Sequence, residues 1–194
     1  MNKNCLLCGV GGQGVVLASK SIAYTAMHKG MQARTSETIG MSQRGGSVVS
    51  HVRIGEEIFS PMVPKKSADV ILAFEPAEAV RNLSYLKKDG VVVVNKKAVK
   101  PVTATLTQNS YDGSEMLDYL KKNVKNLYII DGDAICKEAG SSKVLNVALL
   151  GVALGSKVLN MDMEDMKQEL KRMVKPQFVD VNIKVLELGE KAAM

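Results

Sequence analysis

Apolar positions in this chain come in two patterns. Short apolar runs, Cys5 to Val10, Ala68 to Phe74 (interrupted at Asp69) and Val91 to Val94, lack polar alternation, as expected of strands covered on both faces of a parallel sheet. Longer stretches repeat apolar residues every three or four positions and read as helices. Val15 to His28 is one, rich in small residues and closed by Gly30 in the manner of a C-cap. Pro76 opens another at a first turn, where Glu75 and Glu78 complement the positive end; it runs to about Leu86 and stops at Asp89-Gly90. Ser114 to Asn123 is helical and Met163 to Met173 amphipathic. The chain turns helical from Ala134 onward, with Ser142 to Leu159 so apolar that it must be buried. Pro176 breaks the chain ahead of a last helix reaching Lys191.

The remaining strands carry more polar residues. Met31 to Ser36 alternates, and Ser47 to Ile54 is a strand that Gly55-Glu56 turns back onto a short one at Ile58-Phe59. His51 then falls in an edge strand. Val102 to Leu106 has alternating threonines, as for a strand with one exposed face, and Leu127 to Ile130 ends at Asp131-Gly132-Asp133. Together these elements predict an α/β fold: a mostly parallel sheet with an antiparallel edge hairpin, helices on both faces and a helical C-terminal third. No repeat or linker divides the chain, so residues 1–194 are expected to form a single domain, large enough to need no disulfide or metal.

Composition narrows the function classes. The 26 basic and 20 acidic residues leave +6, spread largely as lysine doublets at element ends such as Lys65-Lys66 and Lys121-Lys122, a solvated-surface pattern. With no Trp and 4% aromatics there is little to stack on bases, which disfavours nucleic acid. The start runs directly into a strand and no apolar run approaches a membrane span, so no signal peptide and no membrane are expected. Three cysteines, an odd number, suit a reducing cytoplasm, and eleven methionines suit adaptable packing or a subunit interface.

The candidate chemistry is concentrated before residue 47. Gly9, Gly11 and Gly14 satisfy G-x-G-x-x-G between a strand and a helix, with Gly12 and Gln13 completing the turn. Such a turn aims backbone N–H groups and a helix N-terminus at an anion; glycines serving packing alone are the other reading. The acidic residue of a dinucleotide site is missing from the end of the second strand, Glu37 being late and part of a polar loop. That loop, Ser36 to Gly46, sets Glu37, Ser42, Gln43, Arg44 and Gly45 in flexible backbone, where Arg44 can pair a carboxylate or phosphate. Cys5 and Cys8 lack the second ligand pair of a zinc site and lie along a strand, so they read as core thiols. No catalytic residue of its own is evident: neither histidine has a catalytic neighbour, and no G-x-S-x-G, Walker lysine or H-E-x-x-H occurs. Such a protein completes an active site more plausibly than it owns one.

The glycine turn, Ser36-Glu37, the run Gly40 to Arg53 and Ser60-Pro61 together resemble the gamma-type subunits of 2-oxoacid:ferredoxin oxidoreductases, within which the chain looks most like an indolepyruvate-type small subunit. Ala68-Asp69, Glu75-Pro76 and the Asn146 to Gly151 helix extend the likeness over most of the chain. The resemblance implies a Rossmann-like domain docked on a large partner that carries thiamine diphosphate, magnesium and iron–sulfur clusters, none of them held by this chain alone. It implies oxidative decarboxylation of an arylpyruvate with coenzyme A to an acyl-CoA, CO₂ and reduced ferredoxin. On that reading Gly9 to Gly14 faces the coenzyme A pyrophosphate and the loop Glu37 to Gly46 faces the partner or the thiazolium. A freestanding NAD(P)-dependent dehydrogenase and a non-catalytic nucleotide-binding assembly module are the alternatives. An exposed docking face would let the isolated chain form a homodimer.

Overall fold

The computed structural model describes residues 2–39, 45–100 and 111–193. Among these residues six strands form one sheet: β1 (Lys3–Val10), β2 (Gln32–Ile39), β3 (Ser47–Gly55), β4 (Ala68–Ala73), β5 (Leu86–Asn95) and β6 (Asn126–Ile130), in the order β2-β3-β1-β4-β5-β6. The helices are α1 (Val15–His28), α2 (Pro76–Asn82), α3 (Ser114–Asn123), α4 (Gly132–Ala139), α5 (Leu145–Gly155), α6 (Met163–Met173) and α7 (Val179–Lys191). β3 is antiparallel to both β1 and β2, while β4, β5 and β6 extend β1 in parallel. β1 is buried on both faces because its side chains alternate between two cores. Cys5 and Leu7 join α1, α5 and α7 on one side; Leu6 and Cys8 join Ala79 of α2 and Leu120 of α3 on the other.

The expected antiparallel hairpin at the sheet edge is present but is made of β2 and β3, joined through the polar loop. Ile58 and Phe59 form no strand; Ile58 and Val63 instead bury their side chains and pin residues 56–64 across the face. His51 accordingly lies inside the sheet, paired with Leu6 on one side and Ser36 on the other, and not on an edge. The helix expected to reach Leu86 stops at Asn82, passes through a 3₁₀ turn at Leu83–Tyr85 and gives way to β5. Gly90 is therefore a strand residue, where a Cβ would meet the Ala68 carbonyl at 2.9 Å. The strand expected at Val102 to Leu106 lies outside the described residues. Among the described residues no helix is long and apolar enough to cross a membrane.

Burial explains the cysteines and His51. Cys5 and Cys8 point into opposite cores, so they cannot share a ligand; burial pushes the Cys5 thiol up to about 12 and Cys8 well above its usual value. His51 accepts the Val63 N–H on Nδ1 at 3.2 Å and meets Tyr85 edge to face, and burial lowers its pKa. A lowered folded-state value means that this site contributes most above the unfolded value of 6.5 and loses stability as pH falls through the folded one. His51→Leu is expected to cost about 1–3 kcal/mol at neutral pH by orphaning the Val63 N–H. Chemical denaturation at pH 7 and 5 should also show a flatter acid limb in that variant.

Candidate functional site

The glycine turn sits where the chain reverses its direction of travel through the sheet. From β1 it crosses to β2 and β3 on one side, then returns to β4, β5 and β6 on the other, making the gap between β1 and β4 the topological switch point. Ligands in open α/β sheets bind outside the carboxyl ends of the strands at such a point. Gly14 caps α1 in a left-handed conformation (φ 85°), and Gly12 is also left-handed (φ 100°), with open space where a Cβ would stand. Among the described residues no side chain caps α1, and no acid occupies its first turn, which leaves its leading N–H groups and positive pole open to the cleft.

Gln13 is spent on architecture. Its Oε1 accepts the Val10 N–H at 2.7 Å and its Nε2 donates to the Phe74 carbonyl at 3.2 Å. Asn95, at the end of β5, donates to the same Phe74 carbonyl at 3.5 Å and accepts the Gly132 N–H at 3.1 Å. The ends of β1, β4, β5 and the start of α4 are thus stitched into one floor. Gly9 allows a close approach within the turn: a Cβ there would lie 2.7 Å from both Gln13 Oε1 and the Phe74 Cβ. Gly11 donates to the Gly46 carbonyl at 2.9 Å, which ties the turn to the end of the polar loop.

Two clefts of similar size flank this turn, with opposite chemistry. One, of about 500 Å³, is bordered by Gly12, Gly14, Asn95, Lys97, Lys143 and Asn146. Asp133 also borders it and pairs with Lys97 at 2.7 Å. The other, of about 520 Å³, has an apolar wall of Val10, Val80, Val99 and Met116 facing Glu75 and Glu78. Both carboxylates are buried. Glu75 accepts the Glu78 N–H at 3.1 Å as the cap of α2 and accepts the Tyr111 hydroxyl; Glu78 accepts Ser47 Oγ at 2.6 Å and pairs with Arg81. Burial, then the bond to Glu75, raises the Tyr111 pKa. The second cleft sets two carboxylates against one guanidinium, Arg81, and disfavours a phosphate; the first sets two lysines against Asp133 beside the α1 N-terminus and suits one better.

The structure brings Gly9, Gly11, Gly12, Gln13 and Gly14 together and sets Gly45 (φ 81°) on the rim of the carboxylate cleft. Glu37 stands apart. It lies on β2 opposite Ser50, with its carboxylate 3.5 Å from Ser19 Oγ of α1. Ser42, Gln43 and Arg44 lie outside the described residues. Sequence reasoning took Glu75 and Glu78 for helix-end charges, and it passed over Lys97 and Lys143 because a scattered lysine carries no signal until the fold brings it near the turn. The dinucleotide pattern also lacks its ribose clamp for a structural reason. β3 separates β2 from β1, so the end of β2 stands two strand spacings, about 10 Å, from the turn.

Known proteins share both sequence and fold. The curated indolepyruvate oxidoreductase subunit IorB of Thermococcus kodakarensis is 38% identical over 195 aligned positions, covering 98% of this chain and 95% of that protein. The protein of the same name from Archaeoglobus fulgidus is 35% identical, covering 100% and 96%. The crystal structure of pyruvate oxidoreductase subunit PORC from Thermotoga maritima superposes with a TM-score of 0.73 at 19% identity, covering 98% of this chain and 96% of that one. That of a keto/oxoacid ferredoxin oxidoreductase gamma subunit from Geobacter sulfurreducens also gives 0.73, at 22% identity, covering 100% and 97%. At those identities the two structures establish the fold alone, whereas the family pattern of pyruvate ferredoxin/flavodoxin oxidoreductases matches residues 4–192. The chain belongs to the pyruvate ferredoxin/flavodoxin oxidoreductase family, as a small subunit of a 2-oxoacid:ferredoxin oxidoreductase.

Proposed function

We propose that this chain completes the coenzyme A site of an indolepyruvate-type 2-oxoacid:ferredoxin oxidoreductase in the cytoplasm. The observation that carries the reading is full-length similarity to IorB subunits, joined to a basic cleft at the glycine turn. A large partner subunit brings thiamine diphosphate, magnesium and iron–sulfur clusters, and passes electrons to ferredoxin. The three cysteines of this chain do not fit a cluster, since Cys5 and Cys8 are buried on opposite sides of the sheet and Cys136 stands alone on α4. The complex converts an arylpyruvate and coenzyme A to an arylacetyl-CoA and CO₂, with the released electrons reducing ferredoxin.

The residues of this chain bind and orient. The N–H groups around Gly12 and Gly14 and the α1 N-terminus receive the pyrophosphate, with Lys97 and Lys143 neutralising its charge. Gln13 and Asn95 hold that cradle rigid, and residues 37–46, including Ser42, Gln43 and Arg44, face the partner. In the absence of the large subunit the chain self-associates.

Two measurements test this. The purified chain should show no oxoacid oxidation until the large subunit is added, and full turnover by the chain alone would refute the assignment. In the complex, Lys143→Glu should raise the KM for coenzyme A about tenfold, a loss near 1.4 kcal/mol. The oxoacid KM should stay unchanged; an unaffected coenzyme A KM would place the pyrophosphate elsewhere.

A further inference from the structure

The geometry points to β2 as an isologous dimer edge, at which a second copy of this chain continues the sheet strand to strand and packs helix α1 against its counterpart. This assignment of a surface rests on the self-association proposed above. β2 is an eight-residue outer strand, and its ladder to β3 runs from Gln32↔Gly55 to Ile39↔Val48 without a register shift. Proteins protect such an edge with proline, lysine, a bulge or a covering segment. β2 contains no Pro and no Lys, and among the described residues no other strand pairs with its outer side. The opposite edge, β6, is five residues long and mostly half-buried.

A second observation lies beside the edge. α1 lies against β2, as the Ser19–Glu37 contact shows, and turns a stripe of large apolar residues to solvent: Leu17, Tyr24 and Met27 are 41%, 42% and 53% exposed. Lys20 shares the stripe, and its stem can follow the contact while the amine reaches water. An extended peptide from another protein would satisfy the strand and leave this stripe wet. A second copy covers both at once. A two-fold axis normal to the sheet at the middle of β2 makes the strands antiparallel, keeps both α1 helices on one face and turns stripe toward stripe.

The area is of the right order. Eight residues at ~3.4 Å make a contact about 27 Å long. A sheet layer of ~10 Å along that length and a helix layer of ~10 Å along the ~21 Å of the 14-residue α1 give about 480 Å² per partner, or about 960 Å² in all. That is close to the ~1,000 Å² needed by a stable interface. Pairing centred on Thr35 or Ser36 sets no charge directly against its own copy, since Arg34 then faces Ser36 or Thr38.

The test uses the full chain. Sedimentation equilibrium is expected to show a monomer–dimer system whose Kd rises tenfold or more in the Tyr24→Glu, Met27→Glu double variant. Single cysteines introduced from Ala33 to Thr38 are then oxidised; the native thiols are buried and do not compete. Self-cross-linking should peak at one central position and fall away on both sides, a pattern that does not depend on how the double variant folds. A chain that stays monomeric overturns both the self-association and the surface. A dimer with unchanged Kd and no cross-link along β2 overturns the surface alone, as does a β2 cross-link formed only to the large subunit in the reconstituted complex.

Discussion

Gly151→Val should be among the most damaging single changes in this chain, lowering stability by about 3 kcal/mol or more and the melting temperature by roughly 6–12 °C. α5 is apolar along nearly its whole length, so its axis runs through the core and neighbouring backbones come close. A Cβ on Gly151 would stand 2.2 Å from the Leu186 carbonyl oxygen, and one on Gly189 of α7 would stand 2.3 Å from the Ala148 carbonyl oxygen. Both obstacles are main chain of an adjoining helix, which cannot swing aside as a side-chain tip can. Glycine in mid-helix costs about 0.5–1 kcal/mol relative to alanine, so on propensity alone Gly151→Ala would be favourable. The contact outweighs it, because separating the helices opens voids along the seam. Gly151→Ala is expected to lose about 1–3 kcal/mol, and combining it with Gly189→Ala should cost less than the sum, since one separation relieves both clashes. Urea titrations of the single and double variants check this. A neutral or stabilising Gly151→Ala would show that the seam has room to spare.

The second large effect is expected at Gly9, where folding and ligand binding meet. Gly9→Ala pushes a methyl against the Phe74 Cβ and Gln13 Oε1 at 2.7 Å and Val15 Cγ2 at 3.0 Å. Gln13 yields first, and in yielding gives up the Val10 N–H and the Phe74 carbonyl. A stability loss of about 1–3 kcal/mol should come with a coenzyme A KM raised about tenfold in the complex. Gly12→Ala separates strain from collision. Nothing obstructs a methyl there, yet φ is 100°, so about 1–2 kcal/mol is expected from backbone strain alone. If Gly9→Ala lowers stability but leaves coenzyme A kinetics untouched, the stitched floor is not part of the ligand site.

Local patterns were legible in the sequence and long-range pairings were not. The bounds of α1, α3 and α6 follow from apolar spacing and, for α1, from Gly30, signals local to the segments themselves. β4 was equally plain, being apolar but for Asp69. The partner of β3 was misplaced because Gly55-Glu56 followed by Ile58-Phe59 has the local form of a hairpin. What decides is that Ile58 gains more by dropping into the core than by joining a ladder, and no residue nearby announces it. At the site, the glycine turn was readable from spacing. Tyr111, Lys97 and Lys143 come from three distant segments and acquire meaning only when β5, α3 and α4 assemble beside the turn. Glu75 was placed correctly at the start of a helix as a complementary charge, while its role as the cap and its place in a cleft wall needed Glu78 and Tyr111 in space.

The antiparallel strand wedged between β1 and β2 has a consequence for selectivity. NAD, NADP and coenzyme A all contain an adenosine diphosphate unit, and dinucleotide folds tell them apart largely by what the second strand offers the ribose. With that strand moved outward, a nucleotide bound as proposed would meet positive charge for its phosphates but little that checks which sugar carries them. On that proposal, rejection of the abundant redox dinucleotides falls to the far end of coenzyme A, where the thiol would have to reach a reaction centre on the partner polypeptide.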